Sequence, residues 1–105
     1  MNILFDQGTP VPLRAYLRGH LVSTAFEKGW ATLKNGELLA AAENNFDLFI
    51  TTDKQLKYQQ RLVGRKMAIL VLPSTSWPSL QALAGRIQLV VENIAAGEYI
   101  ELSFD

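Results

Sequence analysis

Two periodicities alternate along this chain of 105 residues. A short apolar run at residues 2–5, closed by Asp6 and Gly8, predicts a buried strand ending in a turn. Helix-start signals follow at once, with Thr9 as cap, Pro10 at the first helical position and an apolar stripe of Leu13, Tyr16 and Leu17 that stops at Gly19. Residues 20–25 predict a second strand. After a loop at Gly29 and Trp30, Leu38, Leu39 and Ala42 share one face of a helix that ends near Asn44 and Asn45. Residues 46–52 read as a third strand, apolar apart from Asp47 and closed by Asp53 much as the first is closed by Asp6. A helix over 54–62 stops at Gly64, and 67–72 form a fourth strand with no polar residue. A Pro/Ser/Thr-rich connection at 73–78 leads into the clearest helix, where Leu80, Leu83, Ile87, Val90, Val91 and Ile94 recur at steps of three and four until Gly97. The last segment alternates, Ile100, Leu102 and Phe104 against Tyr99, Glu101 and Ser103, as a half-exposed edge strand does.

Strands alternating with helices, the buried ones continuously apolar, imply a three-layer α/β/α sandwich around a mainly parallel five-stranded sheet, in a single domain over residues 1–105. Right-handed crossovers are expected throughout, and ligands of such sheets bind outside the strand C-termini. That rim is where Asp6 and Asp53 fall. Two carboxylates on one rim repel unless they share a proton or a cation, and Mg2+ or Mn2+ answers that need with carboxylates, waters and phosphate oxygens. Glu37, in the first turn of helix two, supplies a third acid near the same rim. Each acid also has a structural explanation: Asp6 as a turn former, Asp53 as a helix cap, Glu37 as a favourable first-turn charge.

Charge sharpens this picture. Ten basic residues balance ten acidic ones, which excludes indiscriminate coating of nucleic acid. Half of the positive charge nevertheless lies between Lys54 and Lys66, a window without an acid, and Lys54, Lys57 and Arg61 stand at helical spacing beside Asp53. A phosphodiester backbone could lie on that stripe, with Thr52 bonding a phosphate or water at the rim and Tyr58, Gln59 and Gln60 meeting bases. The absence of Cys and the single His disfavour zinc. No apolar run approaches the ~18 residues of a membrane span. With no basic leader or cleavage site, a cytoplasmic protein is expected.

Ile-Leu-Phe-Asp at residues 3–6, Gly-Trp at 29–30, Leu-Lys-Asn-Gly-Glu-Leu-Leu at 33–39, Phe-Asp-Leu-Phe-Ile-Thr-Thr-Asp-Lys-Gln-Leu at 46–56 and Ile-Leu-Val-Leu at 69–72 resemble the small stand-alone PIN-like proteins of bacteria. The resemblance covers about residues 1–75, and Thr-Thr-Asp-Lys-Gln-Leu is its most specific piece. It implies a PIN-like fold and a metal-dependent ribonuclease, often the toxin of a toxin–antitoxin pair, with RNA as substrate and an antitoxin protein as partner. Asp6, Glu37 and Asp53 would then be the catalytic, Mg2+- or Mn2+-binding acids, and Thr52, Lys54, Lys57 and Arg61 the substrate contacts. The wider family often carries further acids where this chain has Gln7, Asn35 and Gln55. That thinning motivates an alternative, a catalytically weakened module that binds RNA or a partner protein. A receiver domain would want a second acid beside Asp6 and a lysine after the last strand, where Gln7 and Phe104 stand. The exposed last strand and the apolar surroundings of Trp77 would suit a homodimer.

Overall fold

The three continuously apolar runs become the centre of a sheet. In the computed structural model, which describes residues 1–105, β1 (Asn2–Phe5), β2 (Leu21–Thr24), β3 (Leu48–Thr51), β4 (Ala68–Val71) and β5 (Tyr99–Glu101) form one sheet in the order β2-β1-β3-β4-β5. Every neighbouring pair is parallel. The strands are short, yet the last three residues of β1 and all of β3 and β4 are buried, as strands covered on both faces must be. The three-layer α/β/α architecture is therefore as expected.

Side chains alternate between the two faces. Ile3, Phe5, Leu48, Ile50 and Leu70 point to a core completed by Leu13, Leu17, Leu80, Ile87 and Val91. Leu4, Phe49, Ile69 and Val71 point to a second core, completed by Leu38, Leu39, Ala42 and Leu56. Helices α1 (Asn35–Ala42) and α2 (Leu56–Gln59) cover this second face, and α3 (Trp77–Gln81) and α4 (Ala84–Asn93) cover the first.

This distribution overturns one expectation. The chain moves the same way across the sheet from β2 to β3, from β3 to β4 and from β4 to β5, but the last connection passes over the opposite face, so its hand is opposite to theirs. Parallel crossovers are right-handed in nearly all cases. Coverage explains the exception. A third helix on the α1–α2 face would leave the other face with only the six-residue turn at Val11–Tyr16, and the strand residues Ile3, Phe5, Leu48, Ile50 and Leu70 largely uncovered.

Three helices also differ from the periodicity. Val11–Tyr16 is a 3-10 helix, not an α-helix, with Leu13 N–H bonded to Pro10 O and Leu17 N–H to Arg14 O. Pro10 and Pro12 lack the donors for regular i to i−4 bonds, and the Thr9 hydroxyl, expected to cap, is engaged elsewhere. The helix expected over 54–62 shrinks to the single turn Leu56–Gln59. Only Leu56 is buried there, and glutamines at 59 and 60 stand where an apolar stripe would continue, so nothing anchors a second turn. The long final helix divides between α3 and α4, because Leu83 N–H bonds to Leu80 O three residues back and Leu83 sits at φ −98°, ψ 0°. The apolar stripe runs across the break, with Leu80, Leu83, Ala84, Ile87 and Val91 all buried.

Both sheet edges are outer strands, β2 and β5. At β2 the Thr24 N–H donates to Glu27 Oε1 at 2.9 Å, and Thr24 O accepts from Lys28 N–H. Arg14 clamps the same Glu27 carboxylate with two bonds of 2.7 and 3.1 Å. Its guanidinium, followed by the Thr24 amide, holds the Glu27 carboxyl below the usual carboxylate range. No helix is long and apolar enough to cross a membrane.

Candidate functional site

Asp6 follows β1 directly and is almost completely buried, at 7% exposure. The central strands bring it there: its N–H still bonds to Ile50 O in β3, while its side chain turns to the rim. Two threonine hydroxyls hold the carboxylate, Thr9 at 2.7 Å from Oδ1 and Thr51 at 2.5 Å from Oδ2. Thr9 Oγ1 also lies 2.9 Å from Ile50 O. Thr51, the last residue of β3, is fully buried, and its oxygen accepts the Asp53 N–H at 3.0 Å. One hydroxyl thus joins the two acids. Asp53 is half-buried; Oδ1 accepts the Gln55 N–H at 2.9 Å and Oδ2 accepts Asn35 Nδ2–H at 3.0 Å from the start of α1.

Asp6 and Asp53 line one cleft of about 490 Å3, shared with Gln7, Lys34, Asn35, Gln59 and Gln60. Neither carboxylate belongs to any of the four ion pairs of the molecule. Two carboxylates outside any ion pair therefore face one space at the C-terminal end of the central strands, beside the point where the chain order reverses between β1 and β3. A larger cleft of about 710 Å3 opens at the opposite ends of the strands, near Asn2, Asp47 and Lys66. Its acids serve the scaffold: Asp47 accepts the Asn2 N–H, and Glu43 is paired with Arg65.

The third acid is not brought to this pair. Glu37 is exposed, and its carboxylate reaches back to the Lys34 N–H at 3.0 Å, capping α1 in place of a Lys34 side chain unsuited to that task. No three acidic or histidine side chains gather closely enough to hold a metal ion. The donors at Asp6 and Asp53 still suit a hard cation. Each of their four oxygens accepts one hydrogen bond, which leaves lone pairs for a single Mg2+ or Mn2+ completed by water and phosphate. A second ion would lack ligands.

The basic stripe is dispersed. Arg61 lies beyond the end of α2, where Gln60 has already turned extended, so Lys54, Lys57 and Arg61 do not share a helix face. Lys57 Nζ pairs with Glu101 at 3.1 Å and lies over the Tyr58 ring, and Lys54 lines a separate cleft of about 420 Å3 against β5. Glu101 accepts from Tyr99 at 2.7 Å. Burial and that bond push the Tyr99 hydroxyl up, while Tyr99 and then Lys57 hold the Glu101 carboxyl down. Thr52 faces Gly8 rather than the cleft; a Cβ at Gly8 would stand 2.5 Å from its hydroxyl, so this glycine lets the two rim loops approach. His20 is bonded to Glu92 far from the rim.

Three residues outside the expected site shape it. Strand propensity alone accounts for Thr51 and helix capping for Thr9, yet both hydroxyls orient Asp6. The available signal for Thr51 is a threonine closing an otherwise apolar strand two residues before an acid. Asn35, noted only as a missing acid, instead orients Asp53. Comparison of the chain with protein-family models, curated proteins and solved structures returned no match.

Proposed function

We propose that this chain is a PIN-like, metal-dependent ribonuclease acting in the cytoplasm, the toxin of a toxin–antitoxin pair. The observation that carries this proposal is the pair of unneutralised carboxylates, Asp6 and Asp53, held in one cleft by a shared threonine. Asp6 and Asp53 would hold one Mg2+ or Mn2+, which, when bound, neutralises phosphate charge and acidifies water. The chain's own part is positioning. Thr9 and Thr51 fix both oxygens of Asp6, and Asn35 and the Gln55 amide fix those of Asp53. Lys34, at the cleft wall, is placed to attract the RNA backbone, whereas Lys57 must first leave Glu101. Glu37 contributes through α1, which carries Asn35, rather than as a ligand.

The test is hydrolysis of single-stranded RNA in Mn2+ by the wild type and by Asp53→Asn, with thermal melting of both. Cleavage should be lost in the variant while its melting temperature stays within a few degrees. Equal cleavage by both proteins overturns the assignment.

A second function, binding RNA or a protein partner without catalysis, is favoured by the position of Glu37 and by the amide-rich lining of the cleft. Calorimetric titration with Mn2+ separates the two. The ribonuclease takes up about one ion per chain, dependent on Asp6 and Asp53, and the binding module takes up none above the background of surface carboxylates.

A further inference from the structure

We infer that two copies of this chain pair through the outer edge of β5, antiparallel about Ile100, so that Tyr99 of each lies opposite Glu101 of the other. This surface is separate from the Asp6–Asp53 cleft and does not depend on the proposed reaction. The backbone selects the residues. Glu98 O accepts from Ile69 N–H and Leu102 N–H donates to Val71 O, so the even-numbered residues of the segment turn their backbone groups toward β4. Tyr99 and Glu101 turn theirs outward, where no group of the chain bonds to them. Each therefore offers a free donor and a free acceptor along the edge.

The other edge lacks this pair. In β2 the bonds of Leu21 N–H to Met1 O and of Ala25 N–H to Phe5 O leave Val22 and Thr24 facing outward. Thr24 has given its N–H to Glu27 and its C=O to Lys28, and just before the strand His20 has given its N–H to Leu17. An added strand would find only Val22 with both groups free. Edge strands are ordinarily guarded by charge. The one charged residue of β5 is Glu101, and Lys57 at 3.1 Å neutralises it, so that guard is disarmed within the chain.

Self-matching is what favours a second copy as the occupant. With Ile100 on a two-fold axis, the N–H and C=O of Tyr99 meet the C=O and N–H of Glu101 in the other copy, and reciprocally, so every outward group of β5 is paired in both. The side chains agree with this register. Tyr99 already donates to its own Glu101 at 2.7 Å, and across the axis the same two residue types stand directly opposite. On the other face Ile100, half-buried against the first core, meets its own copy. Like charges nowhere oppose, since Glu98 falls across from Leu102 and Asp105 across from Ala95. Phe104, 50% exposed, comes level with Ala96 at the wall of the 710 Å3 cleft of the second copy.

Sedimentation equilibrium and single cysteines test this. A short edge buries little area, so pairing is reversible, and the apparent mass should climb from 11.7 kDa toward twice that value between about micromolar and about millimolar chain. Glu101→Pro removes one outward N–H at a site where an edge strand tolerates proline, and should stay at the mass of one chain. Glu101→Ala loses the same carboxylate but keeps the N–H, and should pair like the wild type. The chain has no cysteine, so Ile100→Cys and Ser103→Cys each report one position. Opposed Ile100 residues stand about 4.5 Å apart at Cα, within disulfide reach, whereas the two Ser103 residues lie roughly 20 Å apart along the strands. On mild oxidation Ile100→Cys should give a covalent dimer on the order of tenfold faster than Ser103→Cys, although Ser103 is the more exposed. If Glu101→Pro does not fold, the two cysteine variants decide alone. Equal cross-linking of both, or pairing of a folded Glu101→Pro as tight as the wild type, overturns the inference. A wild type that stays at one chain throughout overturns it too, and leaves the β5 edge to a strand of an unlike protein.

Discussion

Thr51 ties the two acids together through one buried oxygen, donating to Asp6 and accepting from the Asp53 amide. Replacing it by valine keeps the shape and removes both bonds. Unpaired buried polar groups cost roughly 1–3 kcal/mol, so Thr51→Val should melt about 4–8 °C lower for each kcal/mol lost, and its Mn2+-dependent cleavage should fall. Thr51→Ser, which keeps the hydroxyl, should retain most of both. If the valine variant melts and cleaves like the wild type, Thr51 does not organise the acids. Asp6→Asn has a cost of its own. Asp6 is buried where Asp53 is half-exposed, so a bond that the carboxamide fails to remake is not replaced by water, and this variant should lose more stability than Asp53→Asn along with activity. At this scale the sequence identified the two carboxylates, because an acid ending an apolar run is visible in one dimension. The hydroxyls that hold them were not legible, since propensity alone already accounts for a threonine in a strand.

Among the elements, α2 is the least self-sufficient, a single turn anchored by fully buried Leu56. Leu56→Ala should cost ~2–5 kcal/mol, and hydrogen exchange should show the loss concentrated between Asp53 and Gln60. Uniform loosening of the whole sheet would argue against a locally anchored turn. The edge strand β5 is held to α2 by Lys57, Glu101 and Tyr99. Glu101 is depressed below its ordinary 4.5, so its contribution is complete above that pH and disappears as pH falls through the lowered folded value. Lys57 is raised above 10.5, so its contribution holds below that pH and disappears as pH rises through the raised folded value. Melting temperature between pH 6 and pH 3 should therefore fall less steeply in Glu101→Gln than in the wild type; parallel curves would show that the tie contributes nothing. Element types were legible wherever one period persisted, as in β1, β3 and β4. They failed where local chemistry intervened, at the prolines of Val11–Tyr16 and at the glutamines that end α2.

At the scale of the molecule, zero net charge conceals separate regions. Of the basic residues from 54 to 66, Lys57 and Arg65 are spent on Glu101 and Glu43 and Lys66 lies at the opposite ends of the strands, which leaves Lys54 and Arg61, with Lys34 of the cleft wall, to meet phosphate. About three phosphate contacts at ≈ 0.7 each predict a slope near −2 when log affinity for single-stranded RNA is plotted against log salt. A slope near zero would mean that backbone charge plays no part in binding. The layer architecture followed from the order of strands and helices, but the reversed hand of the last crossover did not, because it depends on which face still needs cover after α1 and α2 are placed. The two sheet edges differ in a way that bears on assembly. Neither edge has a strand on its outer side, but at Thr24 the β2 edge has already spent one donor and one acceptor within the chain, on Glu27 and Lys28. Head-to-tail stacking of copies, β5 of one against β2 of the next, needs two receptive sides and is how sheets grow into fibres. A sheet receptive on one side only can be extended once, whereas one receptive on both can be extended without end.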